Sequence, residues 1–165
     1  MKKLRLLITK NCNKNCSGCC NNQWDLSKLP VCTSYAGYDE IMITGGEPMT
    51  EPLRVQRLIR AIRKENTFAK IILYTTDLAT VLFYCLDWML DGLTVTIHDR
   101  YDARHFVESE READFDESLS LRLNIFKGIS IFPLKHKWKI KEDIEWIENC
   151  PLPENEVFMR TADAL

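Results

Sequence analysis

Short apolar runs alternate with amphipathic segments along the chain. Six runs are rich in apolar and β-branched residues, as buried strands are, and they cover residues 4–9, 40–44, 70–75, 93–98, 121–126 and 156–160. Strand-like and helix-like segments follow one another in turn, which is typical of a parallel sheet whose strands are joined by crossover helices. The pattern therefore predicts an α/β fold with six parallel strands.

Two helices have strong apolar stripes. The first is predicted to begin near Thr50 as N-cap, with Glu51 and Pro52 in the first turn. Its buried stripe is Val55, Leu58, Ile59 and Ile62. The second follows Asp77, with an inward set of Leu78, Val81, Leu82, Cys85, Leu86 and Met89. Weaker patterns predict helices over roughly 103–113 and 141–149, and residues 20–37 are expected to form a loop with little helix.

Length and charge narrow the class of protein. The length of 165 residues fits one domain over residues 1–165. The net charge of -2 gives no general attraction to nucleic acid or to a membrane. The longest apolar region, residues 81–97, is interrupted by Asp87 and Asp91, so no transmembrane helix is expected. The N-terminus lacks the apolar core of a signal peptide.

The cysteines are clustered. Four of the seven lie in the window of residues 12–20, which favours a metal or cluster site over a disulfide scaffold and predicts a reducing, cytoplasmic location. Cys32, Cys85 and Cys150 lie outside this window, and we expect them to be free thiols that behave as small hydrophobic residues.

The first chemical motif is the run Cys12, Cys16 and Cys19, with the spacing C-x3-C-x2-C directly after the first strand. Three thiolates on one tight loop can hold three corners of a [4Fe-4S] cluster and leave the fourth iron open. Gly18 lets the chain turn closely there. The alternative is a tetrahedral zinc site that uses Cys16 and Cys19 as a C-x2-C half, with Cys12 or Cys32 completing it.

The second motif, Gly45, Gly46, Glu47 and Pro48, follows the second strand. Ligand sites of parallel barrels lie at this end of the strands. Paired glycines allow a bound molecule to approach the backbone, and the Glu47 carboxylate suits an ammonium group. The alternative is a turn that merely ends the strand.

Together the two motifs resemble the radical S-adenosylmethionine (SAM) superfamily, over about residues 4–49. The resemblance implies a partial (βα)6 TIM-like barrel with parallel strands. It also implies a [4Fe-4S] cluster on Cys12, Cys16 and Cys19, SAM chelated to the open iron, and Glu47 holding the SAM ammonium. An oxidoreductase of this kind cleaves SAM to a 5′-deoxyadenosyl radical, which abstracts hydrogen from a substrate.

Polar and aromatic residues at later strand ends are candidates for contacts with the SAM ribose and adenine, although each could equally cap a helix or lie in the core. They are Thr75, Thr76, Asp77, His98, Asp99, Asn124 and Phe126.

The sequence leaves the protein partner and the substrate open. The implied reaction needs a reducing protein such as flavodoxin or ferredoxin, which the basic side of the first long helix could bind, although a solvated face explains that side more simply. Four lysines around Trp138 could bind a phosphate or nucleotide substrate, or nothing: Lys135, Lys137, Lys139 and Lys141. The acidic residues between 108 and 117 are expected to be solvated.

Three readings of the substrate and class remain. Cys-Ser-Gly-Cys, with Gly18 where many family members have an aromatic residue, is similar to the activases of glycyl-radical enzymes. A short chain also fits an enzyme like 7-carboxy-7-deazaguanine synthase. The alternative outside these enzymes is a non-catalytic iron-sulfur electron carrier or a zinc-binding module.

Overall fold

The computed structural model describes all residues from Met1 to Leu165 and places seven strands in one parallel sheet. The strands are β1 (Lys3–Leu7), β2 (Glu40–Thr44), β3 (Lys70–Thr75), β4 (Gly92–Ile97), β5 (Ser120–Phe126), β6 (Lys139–Ile144) and β7 (Glu156–Arg160). Their order across the sheet is β6-β5-β4-β3-β2-β1-β7, and the two outer strands form open edges. The α/β class and the parallel sheet are confirmed.

Three α-helices cover one face of this sheet: α1 (Pro52–Glu65), α2 (Leu78–Phe83) and α3 (Arg100–Glu112). Alternate strand residues such as Leu6, Ile43 and Leu73 are fully buried in a 28-residue core that they share with the helices. Burying a side chain of this size stabilises the fold by about 1.5–3 kcal/mol. None of the helices has the length and hydrophobicity needed to cross a membrane.

The opposite face, which we call the open face, carries the other set of strand residues. Lys3, Arg5, Thr94, Arg122 and Asn124 lie on it, because side chains of a strand alternate between the two faces. Purely buried parallel sheets have apolar residues on both faces, whereas here one face is strongly polar.

The helix predicted over 141–149 is wrong. Residues 139–144 form β6 beside β5, and the later residues contain no helix. A bulge after Lys141 inserts one extra residue, so that Ile144 pairs with Phe126, and Asp143 has a φ of 53°. Ile144, Trp146 and Ile147 have a helix-like spacing, but Ile144 ends β6 and the other two lie in an irregular segment after it.

The strand order also differs from that of a six-stranded series. The sixth predicted strand is β7, which pairs with β1 rather than with β5 or β6. Sequence patterning finds a strand but contains no information about its neighbour, which depends on long-range hydrogen bonds.

The second predicted helix is shorter than expected. Its capping by Asp77 and the burial of Leu78 and Val81 are as predicted, but α2 ends at Phe83. Cys85 has a φ of 52° and an exposed side chain, so it lies outside the core. The chain must reverse here to enter β4, and the left-handed residue makes that turn.

The helix α1 keeps its predicted stripe, and residues 20–37 contain only the 3-10 turns Cys20–Asn22 and Leu26–Lys28. The prediction of a free Cys150 is wrong, because it forms a disulfide with Cys20 across 130 residues of sequence. The two residues approach only when the segment after β6 folds onto the cysteine loop.

The acidic stretch on α3 is not entirely solvated, which corrects another expectation. Glu110 is fully buried and accepts hydrogen bonds from the backbone N–H groups of Lys135 and His136, at 3.0 and 2.7 Å. Burial by itself raises the pKa of Glu110, but these bonds and those from the His136 and Trp138 rings outweigh it and lower the pKa. Glu110 thereby fixes the segment that leads into β6.

Candidate functional site

The cysteine loop, residues 10–19, leaves the carboxyl end of β1. Its base is held by the turn after β2: Gly46 N–H donates to Thr9 O at 2.7 Å, and Glu47 N–H donates to Asn11 O at 2.7 Å. These bonds put the two sequence motifs side by side at the carboxyl edge of the sheet. This edge is where α/β proteins place their ligand sites.

The paired glycines are required by this backbone contact. A Cβ on Gly46 would lie 2.0 Å from Asn11 O, and one on Gly45 would lie 2.6 Å from Thr9 O. The space that we predicted for a bound molecule beside these Cα atoms is thus occupied by the base of the cysteine loop. Any larger residue would push the loop off the sheet.

Cys12, Cys16 and Cys19 are free thiols in this loop. Burial is the main cause that raises the pKa of both Cys12 and Cys16. Lys14 N–H donates to Cys12 Sγ at 3.4 Å. No group of three or more His, Cys, Asp or Glu side chains is arranged to hold a metal ion.

The three free thiols of the loop are of the kind that hold either an iron-sulfur cluster or zinc. Iron-sulfur clusters take thiolate ligands, and three are present on one loop. A structural zinc site needs a fourth ligand. Cys20 is used in the disulfide, and Cys32 donates its thiol to Ser34 O at 3.3 Å beside the strand β7.

The Glu47 carboxylate accepts four hydrogen bonds at this site. It is 3 % exposed. Its Oε1 accepts from Met49 N–H at 3.0 Å and from the Thr75 hydroxyl at 2.5 Å. Its Oε2 accepts from the N–H and the hydroxyl of Thr76, at 2.8 and 2.9 Å. The structure therefore joins the predicted site residues Glu47, Thr75 and Thr76, and the carboxylate ties the end of β2 to that of β3.

These four bonds use the acceptor capacity of the carboxylate. A ligand ammonium at Glu47 must replace one of the donors. The Thr76 hydroxyl can rotate away without any movement of the backbone, whereas the two N–H groups cannot. Pro48 is buried, begins the 3-10 turn Pro48–Thr50, and accepts a hydrogen bond from Glu51 N–H at 3.0 Å through its carbonyl.

His98 lies at the end of β4, on the far side of the cysteine loop. Its Nδ1 is 3.3 Å from Asp102 Oδ2, and the Asp102 carboxylate also forms an ion pair with Lys14 of the loop. Asp102 is 4 % exposed, and although burial raises its pKa, the bonds from His98 and Lys14 lower it overall. An anchored carboxylate on α3 thus holds the middle of the cysteine loop.

Sequence reasoning missed Trp146. Its ring stacks on His98 at 5.5 Å between centroids and packs on Phe126 at 4.5 Å. A Cβ on Gly18 would lie 2.2 Å from Trp146 Cγ, so the glycine leaves room for this indole. The glycine at position 18, where many members of the radical SAM superfamily have an aromatic residue, indicated that another part of the chain supplies the ring. The sequence does not identify that residue.

The remaining predicted residues support the site without lying in it: Asp77 N–H donates to the Thr75 hydroxyl at 2.9 Å. Asp77 and Asp99 cap α2 and α3, by accepting from Thr80 N–H and Asp102 N–H. Asn124 lies on the open face and donates to the Thr96 hydroxyl at 3.4 Å. Asn21, which was not predicted, donates to Gly45 O at 2.6 Å and adds a further tie between the two motifs.

Comparison with known proteins adds no identity. No model of a protein family matches the chain. None of the curated proteins matches it either.

Proposed function

We propose that the protein is a radical SAM enzyme, with Cys12, Cys16 and Cys19 as ligands of a [4Fe-4S] cluster. The observation that carries the proposal is the hydrogen bonding of the cysteine loop to the Gly-Gly-Glu-Pro turn at the carboxyl edge of the sheet. An electron carrier or a zinc module needs three or four thiolates but no such turn. When bound, the cluster and SAM supply a 5′-deoxyadenosyl radical that abstracts hydrogen from the substrate.

We further propose that the sheet is the wall of a partial TIM-like barrel. The neighbours β1 to β6 follow one another in sequence order and are all parallel, and the helices pack on one face only. In this arrangement the open face lines the interior, which explains why it carries polar side chains. The additional strand β7 extends the wall beyond β1.

The residues of this chain would position the ligands. The Glu47 carboxylate would accept from the SAM ammonium once the Thr76 hydroxyl turns away. Trp146 is 40 % exposed and offers a flat surface next to the loop, so it shields the loop from water. The reductant would be a flavodoxin or ferredoxin, and the exposed Arg57, Arg60 and Lys64 of α1 offer it a basic surface.

The deciding experiment is anaerobic. The chain is reconstituted with iron and sulfide, SAM and dithionite are added, and 5′-deoxyadenosine is measured by liquid chromatography. We expect cleavage by the native chain, none by Cys16→Ala, and full cleavage by Cys85→Ala, which removes an exposed thiol outside the loop.

Two results would count against the proposal. A chain that holds a cluster but never yields 5′-deoxyadenosine would be an electron carrier. Cleavage of SAM by the Cys16→Ala variant would show that the cysteine loop does not hold the cluster.

A further inference from the structure

Three cations lie together on the open face near its β6 edge. Arg122 of β5 is level with Lys139 of β6, and Asn124 is level with Lys141, so the three charged residues occupy two adjoining rows of the sheet. Neighbouring parallel strands lie about 4.8 Å apart. All three side chains point away from the helices, because Leu123 and Ile140 between them pack on the helical core.

No acidic side chain neutralises this group. The side chains of the three cations take part in no ion pair and donate no hydrogen bond, whereas Lys3 and Arg5 of the same face are paired with carboxylates. Arg122 is partly buried. Like charges side by side on a sheet destabilise it, so the cluster opposes folding in the absence of a counter-ion.

A buried donor without a partner lies directly beside the cluster. Thr94 of β4 is level with Arg122 in the register and is 2 % exposed. Its hydroxyl is buried and has no hydrogen-bond partner. A buried hydroxyl without a partner has lost its hydrogen bonds to water, and a bound acceptor would replace them.

We propose that Arg122, Lys139 and Lys141, with the Thr94 hydroxyl, bind the phosphate group of a small phosphorylated ligand. A phosphate monoester carries a charge of about -1.5 to -2 and three acceptor oxygens. It therefore satisfies several cations and a hydroxyl at once, whereas a carboxylate carries one charge and two acceptors. Arg122 supplies the two-pronged donor that suits phosphate, and the lysines supply point charges.

The identity of this ligand as the substrate rests on the proposed function. If the open face is the inside of a partial barrel, a phosphate on β5 and β6 anchors the substrate across the sheet from the cysteine loop on β1. The anchored group then sets which part of the molecule faces the loop. Phosphate binding itself requires neither cluster nor SAM.

The test measures binding of inorganic pyrophosphate to the full chain by calorimetry at low ionic strength. The Arg122→Gln/Lys139→Gln variant is compared with Arg57→Gln/Lys64→Gln, which removes the same charge from the exposed side of α1. We expect saturable binding by the native chain and by the control, and at least tenfold weaker binding by the first variant. Acetate at equal concentration should not compete.

A milder variant guards against misfolding. Lys139 is exposed, so Lys139→Gln leaves the packing intact and should weaken binding several-fold. No saturable binding by the native chain, or an equal loss in the α1 control, would overturn the proposal. Either result would mean that the cations act only through the general charge of the surface.

Competition by SAM separates the two proposals. If SAM displaces pyrophosphate, the site serves the carboxylate of SAM, and the substrate assignment is overturned. If pyrophosphate binds while SAM is never cleaved, the phosphate site stands and the radical SAM function fails. If SAM is cleaved by a chain that does not bind pyrophosphate, the radical SAM function stands and the phosphate site fails.

Discussion

The cations at one end of the open face pair with carboxylates, whereas those at the other end do not. At the β7–β1–β2 end, Lys3 Nζ lies 3.1 Å from Glu40 Oε1, and Arg5 Nη2 lies 2.8 Å from Glu156 Oε2. At the β5–β6 end, the three cations of the cluster form no ion pair with a carboxylate. They are Arg122, Lys139 and Lys141. Lys3 and Arg5 are neutralised inside the chain, whereas the cations at the β5–β6 end are available to a ligand. The contrast separates a structural half of the face from a binding half.

The largest expected effect is on the segment that leads into β6 at the binding half, which Glu110 holds in place. Glu110→Ala removes the carboxylate that fixes residues 135–138 and leaves several buried donors without an acceptor. We expect a loss of about 3 kcal/mol in the free energy of unfolding, measured by urea titration. Glu108→Ala, an exposed neighbour on α3, is the control and should change stability by less than about 0.5 kcal/mol. Equal stability of the two variants would refute the anchoring role.

A second prediction breaks the pairing in the structural half. Glu156→Gln leaves the partly buried Arg5 without its counter-charge. We expect a loss of about 1–2 kcal/mol in the free energy of unfolding, because an amide accepts a weaker bond than a carboxylate. Thermal unfolding checks this. A simultaneous Arg5→Gln change should restore part of the loss, and no recovery would show that the pair is not coupled.

The third prediction uses pH. The pKa of Glu110 is lower in the folded chain than in the unfolded chain, where it is about 4.3. Its contribution is therefore fully present above that value and is lost as the pH falls toward the folded pKa. Urea titrations of the native chain and Glu110→Gln at pH 7 and near pH 3.5 should show a smaller stability difference at the lower pH. An unchanged difference would contradict the linkage.

The smallest effect is expected in the binding half without ligand. Arg122→Gln removes one of three like charges and breaks no bond, so we expect stability to stay constant or to rise by up to about 0.5 kcal/mol. Added pyrophosphate should raise the melting temperature of the native chain more than that of this variant. A clear destabilisation of the ligand-free variant would mean that Arg122 is structural, like Arg5.

The site was only partly accessible from sequence. The motif residues could be located because the cysteine spacing and the Gly-Gly-Glu-Pro turn are local patterns. The bonds from Glu47 to Thr75 and Thr76 join residues 28 and 29 positions apart. Trp146 and the Cys20–Cys150 disulfide depend on a segment that was expected to be helical, so neither could be placed.

The sequence by itself determined the α/β class, the positions of most strands, the stripe of α1 and the order of the two motifs, because these follow from hydrophobic periodicity and local turn chemistry. Only the tertiary structure decided that β7 lies beside β1, that β6 is a bulged strand, and that Glu110 is buried. It also decided which cations of the open face find a carboxylate. Strand order and charge pairing are set by contacts between residues far apart in the chain, and no local pattern contains them.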